Sequence, residues 1–131
     1  MSEKVSILTH DAPAPMPVLS QAVVYNGMVY VSGSLGIIPS TGKFVEGTVA
    51  DRTDQIFRNI SAILKGAGSD LANIVKVNIF LTDMSNFQIM NEAYARNMPS
   101  GVMPARTCVA VKELPFGSDV EIECMAALKS V

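Results

Sequence analysis

The order of periodic segments in this 131-residue chain predicts an α+β domain, a mixed β-sheet with two helices packed on one face. Three observations carry the prediction. Two apolar runs flank an Asn26-Gly27 pair; two stretches of helical spacing follow, with an alternating segment between them; and two further strand-like segments close the chain. Strands and helices in that order are most simply packed as helices laid against a sheet. The length fits one domain, so residues 1–131 are read as a single unit, and 49% hydrophobic residues suffice for its core.

Each element has a local cause. Residues 1–19 carry Pro13, Pro15 and Pro17 and are read as an irregular or edge segment. Gln21–Tyr25 and Met28–Ser32 form a hairpin around Asn26-Gly27, because that pair tolerates the positive φ angles of a tight type I′ turn. Ser40-Thr41-Gly42-Lys43 is a second turn leading into Phe44-Val45. A helix is predicted over 51–65 with Asp51 as N-cap, Ile56, Phe57, Ile60, Ile63 and Leu64 on one face, and Gly66 and Gly68 as the stop. In the strand 75–81, Val75, Val77, Ile79 and Leu81 alternate with Lys76, Asn78 and Phe80. A second helix over 86–97 has a capping box from Ser85 and Gln88 and an apolar side of Phe87, Met90, Tyr94 and Met98. Strands around 107–111 and 120–128 end the chain.

Composition excludes several classes of function. The formal net charge is −2 with Lys and Arg scattered, which leaves no electrostatic footprint for nucleic acid or an anionic membrane. No apolar run reaches the length of a membrane span. The start, Met1-Ser2-Glu3-Lys4, lacks the regions of a signal peptide, and the absence of arginine from the first twenty residues disfavours a transit peptide. A cytoplasmic protein is expected. Cys108 and Cys124 sit among apolar neighbours as small hydrophobes, and with His10 as the only histidine neither a metal site, a cofactor nor a catalytic triad is expected.

The richest segment is Pro104-Ala105-Arg106-Thr107-Cys108-Val109-Ala110-Val111, followed by Leu114-Pro115 and Val120-Glu121-Ile122-Glu123. It puts an arginine and two carboxylates into apolar strand-like runs, where charges need a partner or a task. An arginine fork grips a planar carboxylate through two parallel hydrogen bonds, and a glutamate nearby can move protons or position water. The pair reads either as a structural ion pair between neighbouring strands or as a small anion site with an acid/base group.

This segment resembles the C-terminal signature of the RidA (YjgF/YER057c/UK114) family, the reactive-imine deaminases. Ser20-Gln21-Ala22-Val23, Val31-Ser32-Gly33, Asn59-Ile60 and Val75-Lys76-Val77-Asn78-Ile79-Phe80-Leu81-Thr82-Asp83 fall in the family's order and spacing, so the resemblance covers nearly the whole chain. It implies a chorismate-mutase-like subunit in a homotrimer, with sites between subunits. It also implies metal-independent hydrolysis of 2-imino acids to 2-keto acids and ammonia. Arg106 would bind the substrate carboxylate, and Glu121 would activate the attacking water.

Other positions have two readings each. Glu123 shares the face of Glu121 and is assigned a structural role. Gly33 either lets the backbone approach the substrate or merely ends a strand. Cys108 shares the face of Arg106 and either lines the pocket or fills the core. Asn91 and Tyr94 match family positions but are assigned to structure. Two departures bear on substrate choice: Leu19 stands where the family has a pocket tyrosine, and Ser34 where it has glutamine. The hairpin strands are apolar on both sides of the pleat, through Val23, Val24, Met28, Val29 and Val31, which two helices cannot cover; a closed homo-oligomer is inferred. A non-enzymatic oligomer that binds a small carboxylate, or acts as a chaperone, is the competing reading; a ribonuclease or translation inhibitor is a third.

Overall fold

A computed structural model describes residues 3–129; Met1 and Ser2 of the segment expected to be irregular lie outside the described residues, as do Ser130 and Val131. In chain order the elements are β1 (Val5–Ile7), β2 (Ala22–Tyr25), β3 (Met28–Ser34), α1 (Val49–Ala67), β4 (Ile74–Leu81), α2 (Phe87–Asn97), β5 (Ala105–Ala110) and β6 (Val120–Ala127). The strands form one sheet in the order β1-β2-β3-β6-β4-β5. Among the described residues only β4 and β5 run parallel, joined through α2, and the other pairings are antiparallel, so the sheet is mixed.

The hairpin forms as the sequence predicts, with Asn26 at φ 48° and Gly27 at φ 78° turning β2 into β3. Upstream, the segment read as irregular or edge supplies the short edge strand β1, paired with β2. The turn at Gly42 (φ 72°) closes a small loop in which the amide of Ile38 donates to the carbonyl of Lys43.

Both helix starts differ from the sequence reading. Thr48, rather than Asp51, is the N-cap of α1: its hydroxyl accepts from the amide of Ala50, and Asp51 reaches back to the amide of Thr48 at 2.8 Å. Asp51 is thus the N3 member of a capping box, a role its charge suits equally well. At the other end Gly68 adopts a left-handed conformation and returns its amide to the last turn, while Gly66 stays within the helix. The box expected from Ser85 and Gln88 does not form. A single 3₁₀ turn, Met84–Asn86, precedes α2, and Asp83 caps it by accepting from the amide of Ser85.

Strand edges shift for related reasons. A register irregularity between Ile74 and Lys76 gives the buried position to Ile74 and leaves Val75 exposed, contrary to the simple alternation. β5 begins earlier than expected, at Ala105, because it pairs with β4 from Lys76 onward.

One face of the sheet carries Ala22, Val29, Val31, Val77, Ile79, Leu81, Val120, Ile122, Cys124 and Ala126, all buried. Ile56, Phe57, Ile60 and Leu64 of α1 and Met90 of α2 complete this core, and Tyr94 meets Phe57 edge to face at 5.7 Å between ring centres. The opposite face has no helix. Tyr30 and Val109 are exposed there, alongside Phe80 and Met125, but Lys76, Asn78, Glu121 and Glu123 share it. The face is therefore mixed in character, not a continuous apolar surface.

Candidate active site

Glu121 lies near the start of β6, across from Phe80 on the face without helices. Beside it the β3–β6 register breaks between Val31 and Ser34, which puts Gly33 against the carboxylate. A Cβ added at Gly33 would meet Glu121 Oε2 at 2.3 Å and its carboxyl carbon at 2.8 Å. A side chain at this position would push the carboxylate aside, because Glu121 occupies the space a Cβ would take. The bulge is fixed by Ser32, whose hydroxyl donates to the carbonyl of Ser20 at 2.6 Å, and by the Ser32 amide bonded to the carbonyl of Gln21.

Burial raises the Glu121 carboxyl above the ordinary glutamate value, and the nearby charge of Glu123 adds to the rise. Glu123 itself accepts a hydrogen bond from Asn78 at 2.9 Å, in keeping with its structural assignment.

Glu121 opens into a cavity of about 220 Å³ lined by Gly33, Ser34 and Leu19 among others. The proline-rich segment forms its outer wall. Gln21, 4% exposed, anchors that segment: its side-chain amide donates to the carbonyls of Thr9 and Pro13, and its oxygen accepts from the amide of Thr9. Phe116 closes another side from a 3₁₀ turn, Pro115–Gly117, with a left-handed φ of 58° and its ring largely exposed. The sequence reading had no signal for Phe116, since it lines the cavity from a left-handed turn that lies outside every periodic segment.

Arg106 lies elsewhere. It faces the helices from β5, paired in register with buried Val77. Its guanidinium donates to Asn91 Oδ1 at 2.5 Å and sits over the rings of Tyr94 and Phe87, 4.8 and 5.7 Å from their centres. No carboxylate pairs with it among the described residues. Asn91 and Tyr94, assigned above to structure, hold the arginine; helical spacing on α2 was the available signal, but it did not say what they touch. Cys108 lies on the same face, half-buried, with its thiol pushed up by burial while Arg106 pulls the other way.

Two expectations about the pair are corrected. β5 and β6 are not neighbours, because β4 runs between them. Arg106 and Glu121 also point to opposite faces: β4 presents Val77 to one and Phe80 to the other. They form no ion pair within the chain. A single subunit therefore carries the two residues apart, a cation without a carboxylate partner on the helical face and a raised carboxyl with its cavity on the other.

The remaining surface adds little chemistry. A larger groove of about 650 Å³ on the helical side, between α1 and the N-terminal segment, contains none of the predicted site residues. Among the described residues no cluster of three or more His, Cys, Asp or Glu is placed to hold a metal, and no helix is long and apolar enough to cross a membrane.

Comparison with known proteins agrees with this architecture. The family model described as Endoribonuclease L-PSP matches residues 9–128. The chain is 43% identical to Reactive Intermediate Deaminase A, chloroplastic, of Arabidopsis thaliana over 96% of its own length and 67% of the relative's. It is 42% identical to the 2-iminobutanoate/2-iminopropanoate deaminase of Rattus norvegicus, covering 92% of this chain and 87% of that one. Among solved structures, E. coli TdcF with bound serine superposes with a TM-score of 0.87 at 32% identity, covering 94% and 98% of the two chains. The chain belongs to the RidA family, whose α+β subunit it shares.

Proposed function

We propose that this protein is a metal-independent 2-imino acid deaminase that works as a homotrimer, with each site completed by Arg106 of one subunit and Glu121 of its neighbour. The observation that carries the reading is the separation of these two residues onto opposite faces, neither with an oppositely charged partner among the described residues. A second copy against the open face would bring a cation to the carboxylate's cavity and also cover Tyr30, Phe80 and Val109.

The chemistry asks for little. Hydrolysis of a C=N bond adds water across it and then expels ammonia, so the site must hold the substrate, present a water and carry its two protons in turn from oxygen to nitrogen. Asn91 and the two rings fix the Arg106 fork, whose remaining N–H groups bind the substrate carboxylate in bidentate fashion. Glu121 accepts a proton from water as its oxygen attacks the imine carbon. That proton passes to the nitrogen to give a carbinolamine; Glu121 then takes the carbinolamine's hydroxyl proton and delivers it to the amino group as the C=O bond forms and the C–N bond breaks, so that the 2-keto acid and ammonia leave. A carboxylate whose pKa is raised by burial is a stronger base than an ordinary glutamate and takes the proton from water more readily. The names of the deaminase relatives support the substrate class, and the serine seated in TdcF supports a site for small carboxylates.

The description of the matching family model gives ribonuclease activity a claim. Against it stand the net charge of −2 and a raised carboxyl in an apolar cavity, neither suited to a polyanion. A cytoplasmic location is part of the proposal. A coupled assay tests the function: an amino-acid oxidase generates imino acids, and keto-acid release is timed with and without the protein. Acceleration over spontaneous hydrolysis is expected; no acceleration, with keto-acid binding retained, would identify a carboxylate sensor.

A further inference from the structure

The groove between α1 and the N-terminal segment lies on the helical side, away from the face proposed to meet other subunits. Its volume of about 650 Å³ is that of a small-molecule site. Arg58 and Lys65 stand exposed on its α1 wall. Seven residues at about 1.5 Å each put them roughly 10 Å apart on one stripe of the helix, with Ser61 between them. Neither forms a salt bridge among the described residues, and the contact of Arg58 Nη1 with Gln55 Oε1 is long, 3.4 Å. The carboxylate of Asp54, near Arg58, is already held by Arg96 and Asn97. The chain as a whole carries a net charge of −2, but the groove sets two cations against one carboxylate, that of Asp11.

The wall opposite α1 is held in place. Gln21 binds both the amide and the carbonyl of Thr9, and the Thr9 hydroxyl accepts from the amide of Asp11 at 3.2 Å, which leaves its O–H to donate. Between the walls, Ala62, Gly66 and Leu71 make a low, apolar floor. Gly66 lies within α1 and has no left-handed φ, and a Cβ there would meet only Ile7 and Thr9, at the ordinary distances of 3.7 and 3.8 Å. Neither backbone nor packing calls for a glycine, which weakens a helix relative to alanine; its effect is to keep the floor open.

We propose that this groove binds a nucleoside di- or triphosphate, with the phosphates on Arg58, Ser61 and Lys65 and the nucleoside over Ala62 and Gly66. An arginine fork, a lysine point charge and a hydroxyl are donors that phosphate oxygens take, and cations spaced along a groove match a chain of phosphates better than a single carboxylate. Asp11 would only repel a simple anion. The hydroxyls of a sugar, or an exocyclic amine, give it donors to accept from. The proposal is independent of the deaminase reading.

Calorimetric titration of the full chain with ATP and with tripolyphosphate, at low ionic strength and without divalent cations, tests it. ATP is expected to bind about fivefold or more tighter than tripolyphosphate; equal affinities would overturn the assignment to a nucleotide, and no binding of ATP at millimolar concentration would overturn the site. Arg58→Gln and Lys65→Gln change exposed helical positions, so each should keep the wild-type circular dichroism while weakening ATP by about fivefold or more. Lys112→Gln, exposed and outside the groove, should leave ATP affinity unchanged. An equal loss there would mean that ATP follows general charge and not the groove. Gly66→Leu raises a side chain from the floor and should bring ATP down to the affinity of tripolyphosphate; an unchanged ratio would overturn the placement of the nucleoside. ATP binding lost in Arg106→Ala but kept in the Arg58→Gln/Lys65→Gln double variant would place the anion at Arg106 and overturn the proposal.

Discussion

At the scale of single residues, Gly33 and Glu121 make the sharpest case. The atom a new Cβ would strike at Gly33 is the far end of a flexible carboxylate, so Gly33→Ala displaces Glu121 without crowding the backbone. Turnover of imino acids is expected to fall by about 10²-fold while stability changes by less than about 1 kcal/mol, checked by the coupled assay beside thermal melting. Glu121→Gln should lose a similar factor. Its stability has a defined sign. Because the folded-state pKa of Glu121 is raised, the wild type loses stability as pH rises through that value, and the amide removes the loss. The variant is therefore expected to melt no lower than the wild type at pH 7, and a lower melting temperature would contradict the burial argument. Glu123→Gln takes away a negative charge that helps hold Glu121 up. The acidic limb of the kcat–pH profile should move to lower pH, and an unmoved limb would show that Glu121 does not set it.

The elements are positioned by caps and clamps more than by propensity. Thr48 both accepts from the first turn of α1 and receives Asp51 in return, so Thr48→Ala should cost about 1 kcal/mol in urea unfolding. Ser85→Ala should cost less than about 0.5 kcal/mol, since no side-chain cap holds the start of α2. That contrast checks which residue starts each helix. Arg52, on α1, grips Asp119 through two bonds of 2.7 Å and also donates to the carbonyls of Val45 and Gly47. It links the first turn of α1, the loop before it and the residue leading into β6. The Glu121 cavity thus hangs on a strand whose start is tied to α1, and the Gln21 clamp sets its outer wall.

For the whole molecule, the issue is what meets the face without helices. In the proposed site, shared between Arg106 of one subunit and Glu121 of the next, subunit association and catalysis become one property. The protein is expected to elute as a trimer, with no stable folded monomer on dilution; light scattering at the mass of one chain, with native circular dichroism, would refute it. A stricter measurement mixes two inactive variants, Arg106→Ala and Glu121→Gln, by unfolding and refolding them together. In random trimers about three quarters of the assemblies are mixed, and each holds one site in three with both residues intact, so about one quarter of wild-type activity should return. No recovery would place both residues in sites built by a single chain.

The sequence by itself determined the element order, the Asn26-Gly27 turn, the helical faces of α1 and α2, and the family through Arg106, Cys108 and Glu121. These are local facts: a period, a turn pair or a motif needs only neighbouring residues to be read. Which of Asp51 and Thr48 caps α1 was less legible, because both are competent caps within three positions of each other. Tertiary structure alone decided the rest. It put β4 between the strands of Arg106 and Glu121, turned the two residues to opposite faces, set Asn91 and Tyr94 on the arginine, and folded the proline-rich segment over the cavity. Strand order and facing are set by long-range pairing, which no spacing within one segment encodes, and they are what keep Arg106 and Glu121 apart within one chain.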